Sequence, residues 1–277
     1  MDKNLKKILI KTKKAVFSQK IGNNTSKFKG EGYDFIELRE YEDGEDIRKI
    51  DWVISAKMRK PYVKVFYAQR ELDVNIVPIL GGSVYFGTKK FKQELISEIC
   101  SIIGYSCSAQ GDNYTSFIAN EELTLHTKKT KKILNVANMV NGIYNYNVKG
   151  KSVDYKNIVD QLFCKIKKKS IIFLIGDFFN ANDLNLKLLA KKHEVIAIII
   201  RDRFEESPSV FENINFTDPS TFKSFDGNIA KESIKEYEKI VRNNDEKLYE
   251  NLKSFGVDFI KIYTDDNIYT KLFQLFK

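Results

Sequence analysis

Three short, largely apolar runs constrain this chain more than any other feature: Val74–Leu80, interrupted by Asn75, and the unbroken Ile171–Ile175 and Val195–Ile200. A strand with one face in water alternates apolar and polar residues, whereas a run without alternation suits a strand covered on both faces. Each run is also too short to cross a bilayer. Amphipathic stretches lie between and after them, predicting helices over Lys89–Ser108, Thr130–Ile143, Tyr155–Ile166, Asp183–Lys192, Lys231–Phe255 and Asn267–Phe276. Further strands are expected at Tyr114–Ala119, Leu123–His126 and Val257–Tyr263. Strands alternating with helices predict an α/β fold: a doubly wound, mostly parallel sheet with flanking helices, from residue 71 to 277. Asp202–Asn228, with Pro208, Pro219 and Gly227, has no clear period and is expected as the longest loop region.

Residues 1–70 have a different character and are expected to form an N-terminal extension packed on the sheet domain. Charge is laid out there in blocks. The first is lysine-rich, and Leu5, Ile8, Leu9 and Val16 recur near helical spacing, predicting a basic helix over Asn4–Phe17. The second, Glu31–Asp51, is acidic and contains a strand and an Asp43-Gly44 turn; the third is basic and carries the strand Tyr62–Tyr67. The basic helix packs on the domain or docks on an anionic membrane surface.

Composition closes off several function classes. With 277 residues, 43% hydrophobic and 30% charged, the chain has enough material for a buried core. The net charge of +9 admits nucleic acid, an acidic partner or an anionic surface. No nucleic-acid reading module is recognisable, so a nucleic-acid role is not expected. Cys100, Cys107 and Cys164 form no CxxC pair and read as reduced thiols of a cytoplasmic protein. Nothing resembles a cleaved signal peptide. With His126 and His193 as the sole histidines, the common zinc sites are excluded. There is no nucleophile elbow and no GxxxxGK[ST] phosphate loop, so neither a serine hydrolase nor a P-loop ATPase is expected.

A dense signature covers Gly30–Phe35, Leu38-Arg39-Glu40-Tyr41, Gly44–Trp52, Ser55-Ala56-Lys57 and Val63–Phe66. It is followed in order by Ser83–Gly87, Gly176-Asp177-Phe178, Val195–Asp202 with Phe204-Glu205, and Tyr263–Asp266. From about residue 15 to its end the chain resembles the bacterial family called domain of unknown function 58, whose main domain is similar to the von Willebrand factor A domain. That resemblance implies a metal-ion-dependent adhesion site, with Asp-x-Ser-x-Ser in one loop, Thr in a second and Asp in a third. Laid on this chain, the first motif falls on Ile79, Gly81 and Ser83, the second loop on Ser152 and the third on Asp177. The principal carboxylate is replaced by an isoleucine whose side chain is expected in the core. The degenerate site Ser83, Ser152 and Asp177 is therefore expected to hold Mg²⁺ weakly or not at all, unless Asp154 swings in as a substitute, and no cofactor is expected. Gly81-Gly82-Ser83 also opens towards a helix start, where an anion is an alternative occupant.

The signature has two readings. In one, Arg39 and Arg48 pair internally with Glu37, Glu40, Asp46 and Asp51, fixing the loop around Tyr41 and Gly44, and Trp52 is a core aromatic. In the other it is a docking surface edged by Glu42, Asp43 and Glu45. The resemblance implies a non-enzymatic protein–protein interaction module of a bacterial cytoplasm, a companion of a MoxR-type AAA+ ATPase in protein assembly or maturation. The alternative is an Mg²⁺-dependent adhesion module or metal-assisted enzyme built around Asp177.

Overall fold

Helix α1 (Lys3–Asn23) uses its apolar side inside the protein. Leu5, Ile8 and Leu9 are buried while Lys6, Lys7, Lys11, Lys13 and Lys14 remain exposed, the amphipathic arrangement that the spacing predicts. Thr12 completes the inner face: its hydroxyl is fully buried, 2.7 Å from the Ser101 hydroxyl and 2.9 Å from the Ile8 carbonyl. Burial of each of these aliphatic side chains is worth about 1.5–3 kcal/mol, enough to fix the helix against the core. The computed structural model describes residues 3–23, 35–66, 71–229 and 231–275. They fall into two compact units, one of Met1–Lys20 with Leu72–Lys277 and one of Ile21–Glu71. Helix α1 thus belongs with the sheet. Gly30–Asp34, at the head of the sequence signature, lies outside the described residues.

In the smaller unit β1 (Phe35–Glu40) pairs antiparallel with β2 (Tyr62–Phe66). Between them a 3₁₀ turn, Ile47–Lys49, leads into the short helix α2 (Trp52–Met58). Asp51 caps that helix, accepting from the Val53 and Ile54 N–H groups at 3.0 and 3.1 Å. Trp52, the first helical residue, is 65% exposed, so it is not the core aromatic anticipated above. The cap explains this, because Asp51 sets the helix phase and points Trp52 and Val53 outwards while Ser55 faces in.

The larger unit is built on six strands: β3 (Asp73–Pro78), β4 (Asn113–Ala119), β5 (Leu123–Thr130), β6 (Ile171–Gly176), β7 (Glu194–Arg201) and, after the hairpin strands β8 (Phe211–Thr217) and β9 (Ser224–Ile229), β10 (Asp258–Tyr263). Their order is β10-β7-β6-β3-β4-β5, parallel throughout except for the β4–β5 pair. Alternate residues feed the two faces. Ile76, Phe173, Ile196 and Ile198 join α1, α3 (Lys92–Gln110), α4 (Ile133–Tyr144) and α9 (Ile268–Leu275) in one core. Val77, Leu174, Ala197 and Ile199 join α5 (Tyr155–Lys165), α6 (Lys187–Lys192) and α8 (Lys231–Ser254) in the other. This is the doubly wound sheet that the apolar runs predict.

The segment expected as a loop, Asp202–Asn228, is not irregular. It holds the one-turn helix α7 (Arg203–Glu206) and the β8–β9 hairpin. Its period-two pattern is hidden by polar residues at most positions, as suits a hairpin outside the main sheet. The turn is fixed locally: the Asp218 carboxylate accepts from the Ser220 N–H at 2.8 Å and the Thr221 hydroxyl at 2.7 Å. Among the described residues no helix is long and apolar enough to cross a membrane.

Candidate functional site

Strand order reverses at β3, which has β4 on one side and β6 on the other, and the crevice beyond such strand ends is where open α/β sheets place ligands. The chain leaving β3 stays in the sheet for two further residues. The Ile79 N–H donates to the Ile175 carbonyl and the Leu80 N–H to the Ala119 carbonyl, both at 2.7 Å. Ile79 is 2% exposed, and its side chain covers Gly176 so closely that a Cβ there would come within 2.9 Å of it. Beyond it the backbone is squeezed from two sides. A Cβ on Gly81 would fall 2.5 Å from Val153, and one on Gly82 would fall 2.5 Å from the Ser220 Cα in the hairpin turn. Glycine at both positions is a steric requirement, and it lets the Gly82 N–H reach the Lys151 carbonyl at 2.8 Å.

Ser83, in the 3₁₀ turn Gly82–Val84, stands by the Asp177 carboxylate at the end of β6 and helps to keep it charged. Asp177 is 2% exposed. Its Oδ2 accepts from the Lys92 ammonium at 3.0 Å and its Oδ1 from the Phe179 N–H at 3.3 Å, while the Arg201 guanidinium donates to its main-chain carbonyl. Burial alone would raise the Asp177 carboxyl, but Lys92, Ser83 and Arg201 outweigh it and hold it below the usual carboxylate range.

Lys92 is the first residue of α3 and has no solvent exposure. Besides Asp177 it donates to Glu205 Oε1 at 2.5 Å, and its ammonium stands 5.4 Å from the centre of the Phe179 ring. Glu205 is held in place by the capping box of α7, where its other oxygen accepts from the Asp202 N–H at 3.1 Å. Asp202 is itself buried and accepts from the Thr88 N–H at 2.9 Å and the Thr264 hydroxyl at 2.5 Å. Burial pushes the Glu205 carboxyl above its ordinary value, Lys92 opposing and Asp177 adding to the shift.

Of the residues singled out in the sheet domain, the structure brings Ser83 beside Asp177 and turns Ser152 to another partner. Both the N–H and the hydroxyl of Ser152 donate to Glu121 Oε1, at 3.1 and 2.9 Å. Asp154 caps α5 through the Asn157 N–H at 2.9 Å and is not turned towards Asp177. Lys92 was not legible as a site residue, because a lysine in a first helical turn reads as solvated. Glu205 stood in the signature without a role.

A cleft of about 950 Å³ opens beside this cluster, lined by Gly81, Ser83, Ser152, Tyr155, Phe179, Phe204, Glu205, Ser220 and Tyr237. The lining mixes aromatic faces with a few polar groups, the usual make-up of a recognition cleft. Tyr155 stacks on Phe178, ring centres 6.0 Å apart, and its buried hydroxyl has no hydrogen-bond partner among the described residues. Burial, then the Asp177 charge, pushes that phenol well above its ordinary range.

In the smaller unit the signature side chains pair with one another at the surface. Arg39 pairs with Glu45 and lies 3.9 Å from Glu42, and the Tyr41 hydroxyl donates to the Glu45 carbonyl at 3.0 Å. Gly44 takes φ +102°, which the Asp43-Gly44 turn requires. Arg48 forks onto both Asp46 oxygens at 3.0 Å with its side chain 90% exposed. Glu40 pairs with Lys60 at 2.9 Å and Asp51 with Lys64. Glu42 and Asp43 are exposed beside this network, as are the apolar Ile47, Trp52 and Val53.

The sequence profile of the family described as "Protein of unknown function DUF58" matches residues 37–247. Uncharacterised proteins of Mycobacterium tuberculosis and Mycobacterium bovis are 27% identical over 200 residues, covering 68% of this chain and 62% of theirs. The chain therefore spans less than two thirds of the length of these relatives. Among solved structures, the conserved hypothetical protein BatB from Bacteroides thetaiotaomicron aligns with TM-score 0.49 and 9% identity over 74% of this chain and 95% of its own. An aerotolerance-related membrane protein from Bacteroides fragilis aligns with TM-score 0.43 and 10% identity over 73% and 99%.

Proposed function

Because the chain belongs to the DUF58 family of proteins of unknown function, we propose that it is a non-enzymatic protein–protein interaction module, a companion of a MoxR-type AAA+ ATPase in the bacterial cytoplasm. The observation that carries the module reading is the pairing of Lys92 with Asp177 and Glu205 at the foot of an open cleft. A proton-transfer site needs an acid or base free to exchange with a substrate. Here Asp177 and Glu205 are committed to an internal ammonium and Asp218 to the hairpin turn, and the rest of the lining is aromatic surface with hydroxyls, Asn180 and Lys151.

The two histidines support the same reading. His126 Nε2 lies 3.1 Å from the Met139 carbonyl, on β5 and away from the cleft. His193 Nδ1 lies 3.1 Å from the Ser170 hydroxyl, but both residues stand just before β6 and β7, at the opposite end of the sheet from Asp177. The ATPase as partner rests on the family resemblance alone.

The test is binding of the purified chain to the MoxR-type ATPase of its own genome, measured with and without ATP. Binding weakened by Tyr237→Ala in the cleft supports the reading. No binding in either nucleotide state removes the ATPase companion. Binding untouched by Tyr237→Ala removes the cleft as the contact.

A further inference from the structure

We propose that the Lys92 ammonium is the resident cation of the Asp177 cluster, standing where a divalent ion would otherwise be held, so that this site works without metal. The starting point is charge. Two carboxylates, Asp177 and Glu205, face one point in a buried site, and like charges so placed repel strongly unless a cation lies between them. Lys92 Nζ lies at that point, 3.0 Å from one carboxylate and 2.5 Å from the other.

The lysine is built in rather than drifting in from the surface. It is fully buried, and its own N–H donates to the Phe86 carbonyl at 2.8 Å, anchoring the start of α3 above the site. A tethered ammonium needs no free ion and loses no translational freedom on occupying the position, so it competes for it at a high effective concentration.

With Lys92 in place, the oxygens left over do not complete the near-octahedral shell at 2.0–2.1 Å that Mg²⁺ demands. Ser83 and Asp177 supply a hydroxyl and a carboxylate, but Asp177 already accepts from Lys92 and the Phe179 N–H. Ile79 brings no oxygen from its side chain, and Ser152 is bound to Glu121. An ion entering at Asp177 would have to displace the ammonium from its two carboxylates in a fully buried position.

The inference is independent of the ATPase assignment and is tested by metal binding alone. Mn²⁺ is titrated, by calorimetry and by its paramagnetic signal, into the wild-type chain, Asp177→Ala, Lys92→Ala and the Lys92→Ala/Asp177→Ala double variant. The expected result is no saturable site in the wild type and a new site in Lys92→Ala at least about tenfold tighter than any wild-type binding, lost in the double variant. Wild-type binding abolished by Asp177→Ala overturns the proposal, and so does a folded Lys92→Ala that binds no better than wild type. If Lys92→Ala does not fold in buffer, Lys92→Met, which keeps the stem, takes its place. If that also fails, both are refolded with Mn²⁺: recovery of the native circular dichroism supports a vacated cation position, and failure to recover rejects it.

Discussion

The Arg201 guanidinium sits over the Phe179 ring, 4.0 Å from its centre, and reaches Asp245 on α8 at 2.6 Å. That contact ties the carboxyl end of β7 to the long helix behind the cleft. Asp245 also accepts from Lys261 Nζ at 2.9 Å and from the Tyr249 hydroxyl at 3.3 Å, so one carboxylate serves two cations. Burial disfavours its charged form, yet Arg201 and Lys261 hold its carboxyl below the usual range.

Asp245→Ala strands a buried guanidinium without its main counter-charge. Removing one partner of a buried pair costs about 3–5 kcal/mol. Urea unfolding of the variant is expected to show a loss of that size with an unchanged slope. A loss under about 1 kcal/mol would mean that the pair behaves as a surface ion pair.

The buried acids titrate in opposite senses. Asp177, Asp202 and Asp245 are held below 3.8, so the stability they contribute is present above that pH and is lost as pH falls through their folded-state values. Glu205 is raised above 4.5, so its contribution is full below 4.5 and is lost as pH rises through its folded-state value. Glu205→Gln removes the second effect and leaves the first, because Lys92 keeps Asp177. The melting temperature of the variant is expected to stay level above pH 4.5, where the wild type declines. Parallel profiles for the two proteins would show that Glu205 does not titrate in this window.

The signature arginine gives the contrasting case. Arg48 pairs with Asp46 in the open, with its side chain 90% exposed. Arg48→Ala is expected to leave the melting temperature within measurement error, because solvent screens such a pair. A drop of several degrees would place this arginine in a buried network after all.

What could be read from the sequence follows from how each feature is stabilised. Val195–Ile200 announces its strand because both faces are buried, leaving no position for a polar residue. Asp177 announces its place because an acid ending an apolar run is conspicuous. Lys92 does not, since the sequence around it is that of any helix start; its side-chain partners Asp177, Phe179 and Glu205 come from loops distant in the chain. The β8–β9 hairpin is hidden for a related reason, because it pairs outside the main sheet and polar residues fill most of its positions. Trp52 misleads because aromatic residues usually signal a core, and here a local cap turns it outwards.

The glycine pair after β3 gives the last prediction, since it ties the hairpin to the cleft. The Gly150 N–H donates to the Pro219 carbonyl at 2.8 Å, and Gly82 lies against the next residue, Ser220. Gly82→Ala would place a methyl group 2.5 Å from the Ser220 Cα and 2.6 Å from its nitrogen, and backbone atoms cannot swing aside as a side-chain tip can. The hairpin turn must therefore lift, at a cost of about 1–3 kcal/mol, and the cleft wall formed by Ser220 moves with it. Hydrogen exchange is expected to speed up in the turn, at the Gly150 and Phe222 amides, while the Ile198 amide inside β7 stays protected. By contrast Gly111→Ala, at a helix end with φ +83° and nothing within 4 Å of the added carbon, strains only its own backbone and leaves the hairpin amides unchanged. Equal exchange at the hairpin in both variants would show that Gly82 does not hold the turn down.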